Sequence, residues 1–237
     1  GIVGAVLPRQ SQWRRHVSVA MALCSLAAIT GAWARPAGTE QVPRERATVV
    51  LVLDLSQSMQ ATDIDPTRLD ASKQAAKDFI AQLPASYNIA LVALSGNSRV
   101  LAQPTNDRGM INRYIDALTL EDGTHIGDAL MAALDAIAHA PGEPGEDPAP
   151  GMVIMLSDGS NTGGEVSPEQ AAANAREQGV VVNTIAFGTL NGYVDLDGQR
   201  YNVAPDTEAL QQIAAATGGA AVDAKSASQL NNAYDQM

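Results

Sequence analysis

Thr48-Val49-Val50-Leu51-Val52-Leu53-Asp54-Leu55-Ser56-Gln57-Ser58 is the stretch on which the reading of the fold turns. A β-branched, apolar run from Thr48 to Leu53 stops abruptly at an acid and two hydroxyls. A run without polar alternation reads as a parallel strand buried on both faces, delivering polar groups to its carboxyl end. That edge of an open α/β sheet is where ligands bind. Asp54, Ser56 and Ser58 alternate, so one carboxylate and two hydroxyls can converge on one point. Oxygens of this kind suit a hard cation such as Mg²⁺.

Outward from this strand the pattern alternates. Arg68 to Leu83 carries Leu69, Ala76, Phe79, Ile80 and Leu83 at helical spacing and stops before Pro84. Ile89 to Leu94 and Val100 to Leu101 read as strands, the second antiparallel and at an edge. Met110 to Leu118 and Ile126 to His139 read as helices, and Pro141 to Gly151, rich in Pro, Gly and acids, as a surface loop. Met152 to Leu156 is the next apolar strand and ends in Ser157-Asp158-Gly159. Pro168 to Gln178 reads as a helix with Ser167 as its N-cap and Gly179 as its stop. Val180 to Phe187 is a strand, and Tyr193 to Val203 alternates around Asp197-Gly198, a two-residue hairpin signal. Thr207 to Thr217, Ala220 to Val222 and Ser226 to Tyr234 read as helix, strand and helix. Strands alternating with helices predict an α/β fold with a doubly wound, mainly parallel sheet. There is no internal repeat.

The chain of 237 residues is 46% hydrophobic, enough for one α/β domain with a real core. Its 15 basic and 26 acidic side chains give a net charge of −11. Arg9, Arg14, Arg15 and Arg35 are the only charged residues before position 36, so the remainder carries −15. An acidic domain behind a basic leader argues against nucleic-acid binding. Cys24 is the single cysteine, which excludes an intrachain disulfide and leaves the redox compartment unread. The chain begins without Met, as a fragment or a processed product does.

Val17 to Ala34 is free of charge and as a helix would span about 27 Å, close to the thickness of a bilayer core. Arg14, Arg15 and His16 precede it, which predicts a cytoplasmic amino side and an exported acidic domain. The organisation expected is a basic segment at 1–16, a transmembrane helix or signal anchor at 17–34, a tether at 35–46 and a globular domain at 47–237. The expected location is thus the cell membrane, single-pass, with the domain extracytoplasmic. A cleavable signal peptide is the competing reading, because Ala32-Trp33-Ala34 fits an A-x-A site, and it too exports the domain.

Two further loops supply oxygens of the same kind. Thr124 lies in Asp122-Gly123-Thr124-His125-Ile126-Gly127, just before a helix, and Asp158 follows the strand Met152 to Leu156. Taken singly, Thr124 reads equally as a helix N-cap, Asp158 as a turn residue, and Ser56 and Ser58 as caps of the next helix. Taken together, Asp54, Ser56, Ser58, Thr124 and Asp158 resemble the metal-ion-dependent adhesion site (MIDAS) of von Willebrand factor type A (VWA) domains, which are Rossmann-like. The resemblance covers about residues 46–237. Its finer grain is similar to bacterial membrane-anchored type A proteins of the Bat (aerotolerance) group, through Asp54-Leu55-Ser56-Gln57-Ser58-Met59, Ala61-Thr62-Asp63-Ile64-Asp65-Pro66-Thr67-Arg68-Leu69, Gly123-Thr124, Leu156-Ser157-Asp158-Gly159 and Thr184-Ile185-Ala186-Phe187-Gly188. Such proteins often carry transmembrane helices at both ends, so a carboxyl-terminal anchor is expected to be absent here or truncated.

The resemblance implies that Ser56, Ser58 and Thr124 bind Mg²⁺ directly, with Mn²⁺ or Ca²⁺ as alternatives, and that Asp54 and Asp158 act mostly through water. An open position would take an Asp or Glu of a protein partner. Partners implied are other VWA proteins and a MoxR-type AAA+ ATPase, in envelope assembly or stress tolerance. The reading is of a binding module and not an enzyme, with no catalytic residues. The rival is a Mg²⁺-dependent phosphohydrolase of the haloacid dehalogenase type, whose chemistry needs Asp-x-Asp-x-Thr; here Ser56 stands where the second acid would be. Glycine signatures for dinucleotides or phosphates and a Gly-x-Ser-x-Gly elbow are missing. His125, beside Thr124, reads as an exposed loop histidine.

Overall fold

The computed structural model describes residues 12–33, 47–141, 150–196 and 198–237. The tether at 35–46, Ala34 of the cleavage motif, most of the loop 141–151 and Asp197 of the hairpin signal lie outside the described residues. The chain divides into two compact units, Gly1–Pro43 and Arg44–Met237.

In the larger unit, β1 (Thr48–Asp54) is buried along its whole length, as its unbroken apolar run requires. It is followed by a 3-10 turn (Gln57–Gln60), α2 (Arg68–Gln82), β2 (Asn88–Leu94), β3 (Arg99–Thr105) and α3 (Arg108–Asp116). Next come α4 (Ile126–Ala138), β4 (Gly151–Ser157), α5 (Pro168–Glu177) and β5 (Val181–Phe187). A hairpin of β6 (Tyr193–Leu196) and β7 (Gln199–Asn202) precedes α6 (Thr207–Thr217), β8 (Ala221–Ala224) and α7 (Ala227–Asp235). The main sheet has the order β3-β2-β1-β4-β5-β8. Only β3 is antiparallel, pairing with β2 at the edge, as expected of the strand at Val100 to Leu101.

Alternation along the strands feeds two separate cores. Val49, Leu51 and Leu53 of β1 join Ile89 and Leu91 of β2 and Ile154 and Leu156 of β4 under Phe79, Ile111 and Tyr234 of α2, α3 and α7. Val50 and Val52 face the other way, with Val92, Val153 and Val182, against Leu130 of α4, Ala172 of α5 and Ile213 of α6. Phe79 and Tyr234 stack with ring centroids 4.9 Å apart, fastening the last helix to the first core. The chain leaves β1 in one direction to β2 and returns on the opposite side to β4. The carboxyl ends of β1 and β4 therefore flank the point where the winding reverses, and connecting loops diverge there to leave a crevice.

The amino-terminal unit contains α1 (Gln12–Trp33), 22 residues long. Here the membrane expectation is corrected: among the described residues no helix is long and apolar enough to cross a membrane. The helix takes in Arg14 and Arg15, and its uncharged part is diluted by Ser18, Ser25, Thr30, Gly31 and several alanines. Freedom from charge satisfies the length requirement, but Ala and Ser contribute little apolar transfer energy. The single-pass, extracytoplasmic placement loses its basis with that helix.

Leu51 sits at the centre of the sheet with no exposure. Leu51→Ala is expected to lower unfolding free energy by about 2–5 kcal/mol, through lost burial plus a cavity, read as a lower urea midpoint at unchanged slope.

Candidate metal centre

β1 ends at Asp54, which is fully buried. Its Oδ1 accepts a hydrogen bond from the Ser56 amide at 2.8 Å, and its Oδ2 accepts one from the Ser157 hydroxyl. Asp54 thus binds its own loop to the end of β4. The Ser56 and Ser58 hydroxyls lie 2.9 Å apart. Ser56 begins the 3-10 turn but its side chain caps nothing, and Thr67 caps α2. The capping role therefore does not account for the two serines.

Thr124 is 3% exposed, and the N-cap of α4 is His125, again without a side-chain cap. The Thr124 backbone is clamped instead: its amide donates to Thr162 Oγ1 at 2.8 Å, and its carbonyl accepts from the Thr162 amide at 2.9 Å. Asn161 Oδ1 takes the Ile126 amide at 3.0 Å. The loop after β4 thus holds the loop before α4. His125 is partly buried, with Nδ1 3.4 Å from Asp128 Oδ2. Asp128 in turn accepts from the amides of Glu165 and Val166, so this pair braces the 160s loop.

Asp158, 1% exposed, follows β4. Its Oδ1 serves the expected turn, accepting from the Ser160 amide at 3.1 Å. Its Oδ2 is buried and has no hydrogen-bond partner among the described residues. Gly159 holds φ at +82°, and a Cβ there would lie 2.2 Å from the Asp206 carbonyl oxygen, so glycine lets the β4 loop pass the start of α6.

Ser56, Ser58, Thr124 and Asp158 line one cavity of about 300 Å³. Its other wall is the hairpin, through Val194, Leu196, Tyr201 and Asn202. Sequence reasoning missed this wall, because an alternating pattern identifies a hairpin without saying what it covers. It also missed Asn161 and Thr162, for which the only signal was their place in the loop after β4, and it gave Ser157, the last residue of β4, no role.

Burial raises the Asp54 carboxyl, the nearby Asp158 raises it further, and hydrogen bonds from Ser157 and Ser56 only partly offset this, so it stands at about 6 against an ordinary 3.8. Two buried carboxylates, a pair of hydroxyls and an orphaned carboxylate oxygen form an oxygen-only set with surplus negative charge, which fits a hard divalent cation. The described residues contain no cluster of three His, Cys, Asp or Glu side chains spaced for a metal. The oxygens on offer here are therefore those of at most two carboxylates together with serine and threonine hydroxyls.

The von Willebrand factor type A domain profile matches residues 49–161, a span that includes all five predicted ligands. The chain belongs to this family, among the proteins designated UPF0353. It is 39% identical over 243 residues to the UPF0353 protein of Mycolicibacterium gilvum, covering 100% of this chain and 72% of that one. It is 38% identical over 237 residues to a Mycobacterium leprae relative, covering 97% and 70%. Among solved structures it is similar in fold to the conserved hypothetical protein BatB of Bacteroides thetaiotaomicron, with a TM-score of 0.69 at 21% identity over 80% of this chain and 96% of that one. An aerotolerance-related membrane protein of Bacteroides fragilis gives 0.68 at 20% identity, over 81% and 100%. Proximal thread matrix protein 1 of the mussel byssus, with zinc occupying its MIDAS motif, gives 0.61 at 23% identity, over 81% and 44%.

The raised Asp54 carboxyl makes a signed prediction. The metal-free fold holds a proton that the unfolded chain releases near pH 3.8, so this residue's contribution to stability falls as pH rises from there through about 6. For a shift of that size the loss is at most about 3 kcal/mol. Asp54→Asn, neutral at every pH, is expected to gain stability relative to the wild type across that window in chelator-treated samples. A stability difference that stays flat with pH in urea titrations contradicts it.

Proposed function

We propose that this domain is a protein-binding module whose recognition depends on a divalent cation, Mg²⁺ in the first instance and Mn²⁺ or Ca²⁺ as alternatives. The observation that carries the reading is the buried Oδ2 of Asp158, without a hydrogen-bond partner among the described residues, on a residue that shares its cavity with the Ser56–Ser58 hydroxyl pair. Ser56, Ser58 and Thr124 would hold the ion through their hydroxyls, while Asp54 and Asp158 act through water and orient those hydroxyls. Such a set leaves the ion short of ligands, and an Asp or Glu of a protein partner would complete it. The type A protein groups named above and a MoxR-type AAA+ ATPase are the partner classes to test. The domain is taken to span 47–237.

The phosphohydrolase alternative finds no support: Ser56 hydrogen-bonds to Ser58, and no second acid stands there to handle a proton. On this reading the module catalyses no hydrolysis.

Calorimetric titration of the full chain with MgCl₂ is expected to give one weak site. Ser56→Ala and Asp158→Ala should abolish it while circular dichroism and the unfolding transition survive, because both lie on loops at the sheet edge. No heat and no thermal shift at millimolar metal, for folded protein, removes the site. A metal-dependent phosphatase rate that vanishes in Asp54→Asn would replace the binding module with an enzyme.

A further inference from the structure

We infer that Arg68 is a positioning residue joining the β6–β7 hairpin to the Asp158 loop, so that the cation site and the wall facing the partner are set by one buried guanidinium. The inference rests on the metal reading above and concerns residues outside the ligand set. Arg68 opens α2 with its side chain fully buried. Nε and Nη2 form a two-pronged pair with Asp63, each at 2.8 Å. Nη2 also donates to the Val203 carbonyl at 3.0 Å, and the Val203 amide donates to the Gly192 carbonyl at 2.9 Å, closing the base of the hairpin.

Asp63 is tied to the same base. Its Oδ2 accepts from both the amide and the hydroxyl of Thr189, each at 2.8 Å. Burial raises this carboxyl, but the hydrogen bonds from Arg68 and Thr189 outweigh that and hold it below the ordinary range. The backbone at Gly188 and Gly192 closes on the guanidinium: a Cβ at either would fall 2.5 Å from Cζ or 2.1 Å from Nη2. Arg68 therefore occupies the root of the excursion whose hairpin walls the cavity.

Its remaining nitrogen points at the metal loop. Nη1 lies 3.8 Å from Asp158 Oδ2, and neither atom has a hydrogen-bond partner among the described residues. Arg68 thus faces Asp63, the hairpin base and the Asp158 oxygen of the site at once. Asp63 and Asp158 thus give two buried or largely buried carboxylates around one guanidinium, with Asp54 beside Asp158. With Arg68 committed to Asp63, the uncompensated charge falls on Asp54 and Asp158. A cation there would compensate Asp158 and leave the guanidinium to Asp63 and the hairpin base, so that cation and clamp are linked through one side chain, and the coupling is equal in both directions.

Hydrogen exchange of the hairpin amides, measured on the full chain with and without saturating MgCl₂, tests this link alongside calorimetry. In the wild type the metal is expected to slow exchange at β6 and β7 about fivefold or more, the lower end of typical coupling. Arg68→Lys keeps a charge but lacks the fork; it should lose that slowing and weaken Mg²⁺ binding about tenfold. Thr189→Val, far milder for folding, should reduce the metal-dependent slowing from the hairpin side and serves if the lysine variant does not fold. A wild type that binds metal with unchanged hairpin exchange, or a folded Arg68→Lys with wild-type affinity and protection, overturns the inference alone. A wild type that binds no metal overturns the metal reading and this inference with it.

Discussion

Two carboxylates, Asp54 and Asp158, stand side by side at the ends of neighbouring strands with almost no exposure, and the rest of the site is arranged around that fact. Burial away from water resists ionisation and the neighbouring charge of Asp158 adds to it, which is why the Asp54 carboxyl rises. The fold tolerates the pair because each oxygen but one is hydrogen-bonded by its own loop or its neighbour's: Ser56 and Ser157 serve Asp54, and Ser160 serves Asp158. The oxygen left over is buried 3.8 Å from Arg68 Nη1, on a residue that lines the crevice where the sheet's winding reverses.

Much of this was legible because it depends on short-range pattern. β1, β4 and β5 are apolar on both faces, and only a parallel strand covered on both sides demands that; the helices between them carry apolar positions at their own period. The acid and hydroxyls at the end of β1 announced a polar edge, and the structure brings Thr124 and Asp158 to the same edge. What lay beyond reach was long-range. The stretch from Asp63 to Leu69 stood out as a signature without a role, since its partners Thr189 and Val203 lie more than a hundred residues away. The helix before the domain failed for a different reason: absence of charge is visible residue by residue, whereas sufficient apolarity is a sum, and alanine and serine keep that sum low.

A buried arginine is an expensive way to hold a hairpin. Removing a guanidinium from water costs several kcal/mol, which the two-pronged Asp63 pair and the Val203 carbonyl must recover. Packed apolar residues could fasten the same segment. Charged groups add directionality instead: the fork fixes the hairpin base in one orientation relative to α2, and the fourth direction of the guanidinium runs to Asp158. The geometry favours a specific placement of the cavity wall over maximal stability.

The acidity of the domain sharpens what the proposed recognition requires. A chain with a formal net charge of −15 beyond residue 35 repels an acidic partner at long range, with screening over about 8 Å at physiological salt. Contact with an Asp or Glu is then favourable only where a bound ion inverts the local field. Hydroxyl ligands suit that purpose better than additional carboxylates. On the proposed reading they add no charge beyond that of Asp54 and Asp158, so the ion's pull on an incoming carboxylate would stay stronger than in a site with more acids, at the expense of affinity for the ion itself. Weak metal binding and strong dependence on metal for partner binding would then be two consequences of one ligand set, serine and threonine where a tighter site would carry acids.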